Sequence, residues 1–223
     1  MKTSRALIDV PTAIPGKYDS FFSFPVAKTG YSGVAIYTNS DFVTPVRGEE
    51  GLTGSIQPKP PLSDEERVSS KYPAANDMNL AIDEDNPDAL PDLDELDTEG
   101  RALVLDFGLF VLINVYCPAD SADMRYHYKL NFGYLLQERV RCLVAEGREV
   151  IVVGDLNTCV SPIDHVEGKF PAYKAVFYDR PHRVWIRDWV SQGGEMIDIL
   201  RHLYPERRGM FTCEPFTHPC VSC

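Results

Sequence analysis

This 223-residue chain lacks any run of roughly 18 consecutive apolar residues, the length needed to span a bilayer as a helix. Its first residues, MKTSRALIDVPTAIPG, contain no continuous apolar stretch, so no secretory signal is expected there. Cysteines are few and scattered: Cys117, Cys142, Cys159, Cys213, Cys220 and Cys223. Three of them sit inside apolar stretches, where a reduced, intracellular cysteine acts as a small hydrophobe. There is no internal repeat. Bases are in the minority, with 22 Lys and Arg against 33 Asp and Glu and a net charge of −11. What is present, 44% hydrophobic and 11% aromatic residues, suits a globular domain with a sizeable core.

The acidity is local. Ser55–Glu99 holds thirteen acids and three bases, while the remainder holds twenty acids and nineteen bases. The body is therefore close to neutral, which neither supports nor excludes a polyanionic partner. The same segment carries Pro58, Pro60, Pro61, Pro73, Pro87 and Pro91 and the run DEDNPDALPDLDELDTE. Its composition predicts an acidic, solvated and disordered insertion over 55–99.

Outside it, 18–24 (YDSFFSF) and 30–38 (GYSGVAIYT) read as strands. ALVLDF and LFVLINVY, joined by Gly108, read as a hairpin. From Asp123 to Glu146, apolar residues recur in steps of three and four, predicting an amphipathic helix with Gly147 as its C-cap. Residues 182–203 look helical in part, with Trp185, Trp189, Met196, Ile199, Leu200 and Leu203 facing inward. Hairpin strands mixed with a strand–helix–strand unit imply a mixed sheet in a layered α/β or α+β domain.

The most informative run is Val150–Thr158, VIVVGDLNT. Four β-formers predict a buried strand ending at Gly154, and strand periodicity points Asp155 and Asn157 to one face. A carboxylate can orient or deprotonate a water beside a hard cation, and a carboxamide can hold a phosphate oxygen. Asp and Asn after a strand also simply make turns, so the run alone leaves both readings open.

Several motifs together resemble one family in the right order: GYSGV (30–34), EGR (99–101), VLINVYCP (111–118), VVGDLN (152–157) and RHLYP (201–205). They resemble the abasic-site endonucleases related to exonuclease III, of DNase I-like fold. EEGLTG (49–54), GDLNT followed by PIDH (162–165), and FTC (211–213) resemble the AP endonuclease 2 subgroup. The resemblance covers 1–213, a partial domain interrupted by the acidic insertion, with 214–223 left as a non-family tail. It implies a four-layer sandwich of two mixed sheets with helices outside. It also implies a monomeric nuclear DNA-repair phosphodiesterase using Mg²⁺ or Mn²⁺. The substrate would be duplex DNA, cut 5′ to abasic sites or trimmed at blocked 3′ ends. No membrane partner is implied.

Carried over onto this chain, Asp155 matches the water-activating Asp and, with Asn157, contributes to the metal site. Asn157 also matches the phosphate-contacting Asn, and Tyr116 the Tyr whose hydroxyl supports the phosphate or leaving group. Where abasic endonucleases often carry a phosphate-binding Asn, this chain has Ala119. Gly30, Tyr31 and Gly33 are expected to shape a close backbone approach, Asp164 and His165 to brace a loop, and Asp198 to match a structural Asp.

The departures are equally specific. Met1-Lys2-Thr3 resembles the residues just after the family's metal-binding Glu, and the tail EPFTHPCVSC replaces the strands that carry its final His. The first strands and the C-terminal strands of the sandwich are thus expected to be missing. Cys213, His218, Cys220 and Cys223 match no common zinc spacing. Weak or absent catalysis by this chain is the resulting expectation, with a DNA-binding isoform or gene-model fragment as the alternative.

Overall fold

The computed structural model describes residues 5–26, 30–82, 91–119, 125–191 and 193–210. The expectations for Met1–Thr3, for part of the acidic run and for the tail from Phe211 lie outside these. The chain forms two compact units, Met1–Cys117 with Tyr134–Asp155, and Pro118–Gly133 with Leu156–Cys223.

In the first unit, a short helix α1 (Val10–Ala13) precedes β1 (Tyr18–Ser23) and β2 (Val34–Asn39), which pair antiparallel. A second sheet runs β3 (Arg47–Glu50), β4 (Ala102–Asp106), β5 (Val111–Tyr116), β6 (Val150–Asp155) in that order. Its first two pairings are antiparallel, and β5–β6 is parallel. A parallel pair needs a crossover between its strands. Here that is α3 (Tyr126–Ala145), whose residues from Tyr134 onward belong to this unit and bury Leu135, Leu136, Val140 and Leu143. The helix ends where Gly147 N–H donates to Val144 O and Arg148 N–H to Leu143 O at 3.0 Å, a Schellman closure.

Along β5, Val111, Ile113 and Val115 are buried on one face. On the other, Asn114 Nδ2 donates to Ala35 O at 3.0 Å and ties the two sheets together. Two sheets plus helices make the mixed α/β sandwich class that the motifs implied.

Three expectations are corrected here, and one strand is added that the sequence does not mark. β3 is not legible as a strand, because RGEE lacks apolar alternation. It is a strand because Glu49 is buried against Arg139 at 2.9 Å and accepts from Tyr72 Oη at 2.6 Å. The segment 55–99 is not solvated throughout. Val68, Ser69, Leu96 and Asp97 are buried, and α2 (Leu93–Asp97) delivers Asp97 to the N–H groups of Leu52 and Thr53 and the Thr53 hydroxyl. Burial pushes the Asp97 carboxyl above its ordinary range, against the pull of these donors. An acidic composition counts charges, but cannot reveal which of them have buried partners.

The strand β6 is not fully buried. Among the described strands it lies at the sheet edge, with Ile151 and Val153 more than two-fifths exposed. The third correction falls in the second unit, whose helices are α4 (Pro171–Ala175), α5 (Pro181–Val190) and α6 (Ile199–Leu203). There Ile199, Leu200 and Leu203 are exposed, while Trp185 and Trp189 are buried as their periodicity predicts. A hydrophobic period locates a face, not what covers it.

The second unit's core consists of Leu130, Phe132, Phe177, Trp185, Ile186 and Trp189, each worth about 1.5–3 kcal/mol when fully buried. The Trp185 and Trp189 rings stack at 5.3 Å, and Gly133 lets α3 approach the Trp185 ring closely.

Candidate active site

In the first unit, two strands end side by side. Tyr116 closes β5 and Asp155 closes β6, and the two are register partners across the parallel ladder. Cys117 N–H donates to Asp155 O at 2.8 Å and extends the pairing by one bond. Gly154 just before Asp155 has φ of 119°, and a Cβ there would sit 2.0 Å from Val115 O. Only glycine permits that approach, so the Gly of GDLN sets how closely the Asp-bearing strand end lies to the Tyr-bearing one.

Tyr116 is held from behind. The Arg101 guanidinium lies 5.0 Å from its ring centroid and 5.5 Å from that of Tyr31, and Nη1 donates to Tyr116 O at 2.9 Å. Arg101 is itself buried and bonds Glu99 Oε2 at 2.6 Å through Nε. The Glu99 carbonyl accepts from the buried hydroxyl of Ser32. The 30–34 and 99–101 motifs thus meet around one guanidinium that lies over the rings of two tyrosines, a contact suited to a planar cation. Gly30 takes a left-handed φ of 69° with open space around it, so it serves the turn and not the close approach expected of it. Gly33 has φ of 132°.

The second unit carries Asn157. It is buried and adopts φ of 48°, a left-handed conformation that Asn tolerates better than most residues. Its carbonyl accepts from Lys129 Nζ at 2.6 Å, and Lys129 is buried as well. A charge-assisted bond to the main chain fixes the Asn157 backbone. Lys129 was missed by sequence reasoning. Its only signal there is a lysine at a position next to the apolar stripe of α3.

Asp164 and His165 belong to the same unit. Asp164 Oδ2 accepts from the Ser161 N–H at 3.2 Å and from its hydroxyl, and Oδ1 accepts from Arg201 Nε at 2.7 Å. His165 Nδ1 accepts from Glu167 N–H at 3.1 Å, and its ring stacks on Tyr173 at 4.7 Å. Asp198 caps α6 by accepting from Arg201 N–H at 3.0 Å. All three residues are engaged in holding loops and helix ends.

Among the described residues, no three His, Cys, Asp or Glu side chains come together as a metal-holding group. A hard divalent cation takes about six oxygens, and Asp155 offers one carboxylate at an exposed strand end. The described side chains do not by themselves make a cation site. What the first unit does present is a carboxylate and a phenol on adjacent strand ends, able to accept a proton from water and to hydrogen-bond an anionic oxygen.

The sequence model of the Endonuclease/Exonuclease/phosphatase family matches residues 4–215. The chain is 37% identical over 206 residues to DNA-(apurinic or apyrimidinic site) endonuclease 2 of Schizosaccharomyces pombe, covering 90% of this chain and 38% of that protein. In fold it is similar to a 3′-5′ exonuclease (NExo) from Neisseria meningitidis, with a TM-score of 0.55 and 16% identity over 93% of this chain and 63% of that one. It is also similar to an AP endonuclease from Archaeoglobus fulgidus, with a TM-score of 0.52 and 19% identity over 93% and 62%. The chain spans about two-fifths of the length of the curated relatives it matches.

Proposed function

We propose that this chain, which belongs to the Endonuclease/Exonuclease/phosphatase family, is the phosphodiesterase portion of a nuclear DNA base excision repair enzyme. It acts as a monomer on duplex DNA, incising 5′ to abasic sites and trimming blocked 3′ ends. The observation that carries this reading is the pairing of Tyr116 with Asp155 across the ends of two parallel strands, in a chain similar to abasic-site endonucleases.

The roles follow from the chemistry of each group. Asp155 orients the attacking water and takes its proton as the P–O bond forms. Asn157, two positions on, donates its carboxamide N–H to a non-bridging phosphate oxygen. The Tyr116 hydroxyl hydrogen-bonds the phosphate or the departing oxygen, and Arg101 holds its ring in place. Mg²⁺ or Mn²⁺ would supply charge neutralisation at the phosphate when bound. Asp155 would give one of its ligands, and Asn157 was expected as another. The rest must come from groups beyond the described side chains, so no step here is routed through the ion.

The test is incision of a duplex bearing an abasic-site analogue, with Mg²⁺ or Mn²⁺ supplied. Incision that falls to background in Asp155→Asn and by about 10²–10⁴-fold in Asn157→Ala is expected. Equal cleavage by the chain and Asp155→Asn would overturn the proposal. A second reading, DNA binding without cleavage, is favoured by the lack of a metal-holding cluster among the described residues. It requires salt-dependent duplex binding with no Asp155-dependent product.

A further inference from the structure

We infer that a cleft in the second unit binds the phosphodiester backbone of a nucleic-acid strand. The inference rests on the nuclease reading above and extends it to residues outside the catalytic set. The cleft has a volume of about 620 Å³, within the range of ligand-binding clefts. Lys169, Lys174 and Arg208 line it, with Glu206 as the one lining carboxylate. Pro162, Ile163, Val166 and Pro205 supply its apolar surface.

The cations are not there to satisfy the fold. Among the described residues, neither the Lys174 ammonium nor the Arg208 guanidinium has a hydrogen-bond or ion-pair partner. Lys169 Nζ has only the neighbouring Phe170 ring, at 5.1 Å. Three exposed cations around one concavity repel each other, and one carboxylate offsets them only partly. The bias is local: residues 156–210 hold eight Lys and Arg against seven Asp and Glu, in a chain whose net charge is −11. A cleft that concentrates uncompensated positive charge in an acidic protein selects an anionic ligand.

The floor beneath these cations is rigid. A Cβ on Gly168 would lie 1.5 Å from Pro162 O, so the two turns are in contact there. Arg201 ties the two walls together, donating to Asp164 on one side and to Arg207 O at 2.8 Å on the other. The carbonyl that Arg201 holds is thus one residue before Arg208. A floor held by these contacts, with exposed cationic side chains above it, positions a phosphate chain without having to order the walls at each encounter. The lining carries no Phe, Tyr or Trp to stack on a base and no Asn or Gln to read one, and its one ring, His165, already stacks on Tyr173. Recognition is therefore of backbone charge and not of sequence.

The test is fluorescence anisotropy of a labelled duplex carrying an abasic-site analogue, titrated over a salt series in EDTA so that no cleavage intervenes. Lys169→Ala/Lys174→Ala/Arg208→Ala is expected to weaken binding and to reduce the slope of log K against log salt by about 2–3, close to 0.9 per lost contact. Glu206→Gln is expected to tighten binding. Lys17→Ala, which removes an exposed ion pair in the other unit, is the control and leaves the slope unchanged. All four positions are solvent-exposed in the cleft variants, and an unshifted melting temperature confirms that the fold persists. An unchanged slope in the triple variant, with tight binding by the parent chain, overturns the cleft and leaves the nuclease reading standing. No binding by the parent chain even at low salt overturns both. Loss of binding to anionic lipid vesicles, with DNA binding intact, also overturns it and assigns the cleft to a membrane.

Discussion

Replacing Arg139 with Met removes a buried cation at nearly constant length. The guanidinium is fully buried and donates through Nη2 to Glu49 Oε2 at 2.9 Å and through Nη1 to Lys71 O at 3.0 Å. It also lies 4.4 Å from the Tyr72 ring centroid. After the change, Glu49 remains buried with the Tyr72 hydroxyl as its donor, and Lys71 O keeps only the Ser69 hydroxyl. A buried ion pair broken on one side costs about 3–5 kcal/mol, because the remaining charge stays desolvated. Against a typical domain stability of about 5–15 kcal/mol, that is a large fraction. Removing the charge on both sides with Glu49→Gln/Arg139→Met should recover ~1–3 kcal/mol of the loss. Urea unfolding measures both costs. The break also frees Arg67–Tyr72, so limited proteolysis should cut there first in the single variant. A loss in Arg139→Met below about 1 kcal/mol, the level of an exposed pair, would refute the argument. So would a double variant no more stable than the single one.

Gly154→Ala forces a Cβ against Val115 O and should cost about 2–5 kcal/mol. A melting temperature equal to the parent's would mean that β6 does not approach β5 as described. Lys129→Met leaves the buried Asn157 carbonyl without its ammonium donor and should destabilise by about 1–3 kcal/mol. Thermal unfolding reads that loss, and a neutral result would show that the bond contributes nothing. Asp106 supplies a pH signature. Burial raises its pKa, but Arg148, the Gly108 N–H and Arg47 outweigh that and hold it below the ordinary range. A depressed folded pKa stabilises above the unfolded value near 4 and is lost as pH falls through the folded one. Asp106→Asn should therefore be less stable than the parent at neutral pH, and the gap should close under acid. Parallel stability curves for the two proteins would contradict the assignment.

What could be read from the residues was whatever local periodicity and motif chemistry specify. Strands β1, β4, β5 and β6 and helix α3 were legible because alternation and three-to-four spacing are properties of consecutive side chains. Tyr116, Asp155 and Asn157 were legible as candidates, because a phosphate chemistry requires those groups and a short motif keeps them together. β3 was not legible, because its stability comes from Glu49 meeting Arg139, ninety positions away in the chain. The 55–99 segment was misread for the same reason. Its charge is visible in the composition, but the burial of Asp97 beneath Leu52 and Thr53 is a long-range contact.

The chain's own sequence therefore determined the class of fold and the candidate residues for the chemistry. Only the tertiary structure decided that Arg101 lies over the rings of Tyr31 and Tyr116, that Lys129 holds Asn157, and that Lys169, Lys174 and Arg208 share a cleft. The reason is physical. Hydrogen bonds, stacked rings and uncompensated charges act over a few ångströms of space, and proximity in space between distant residues is created only by folding.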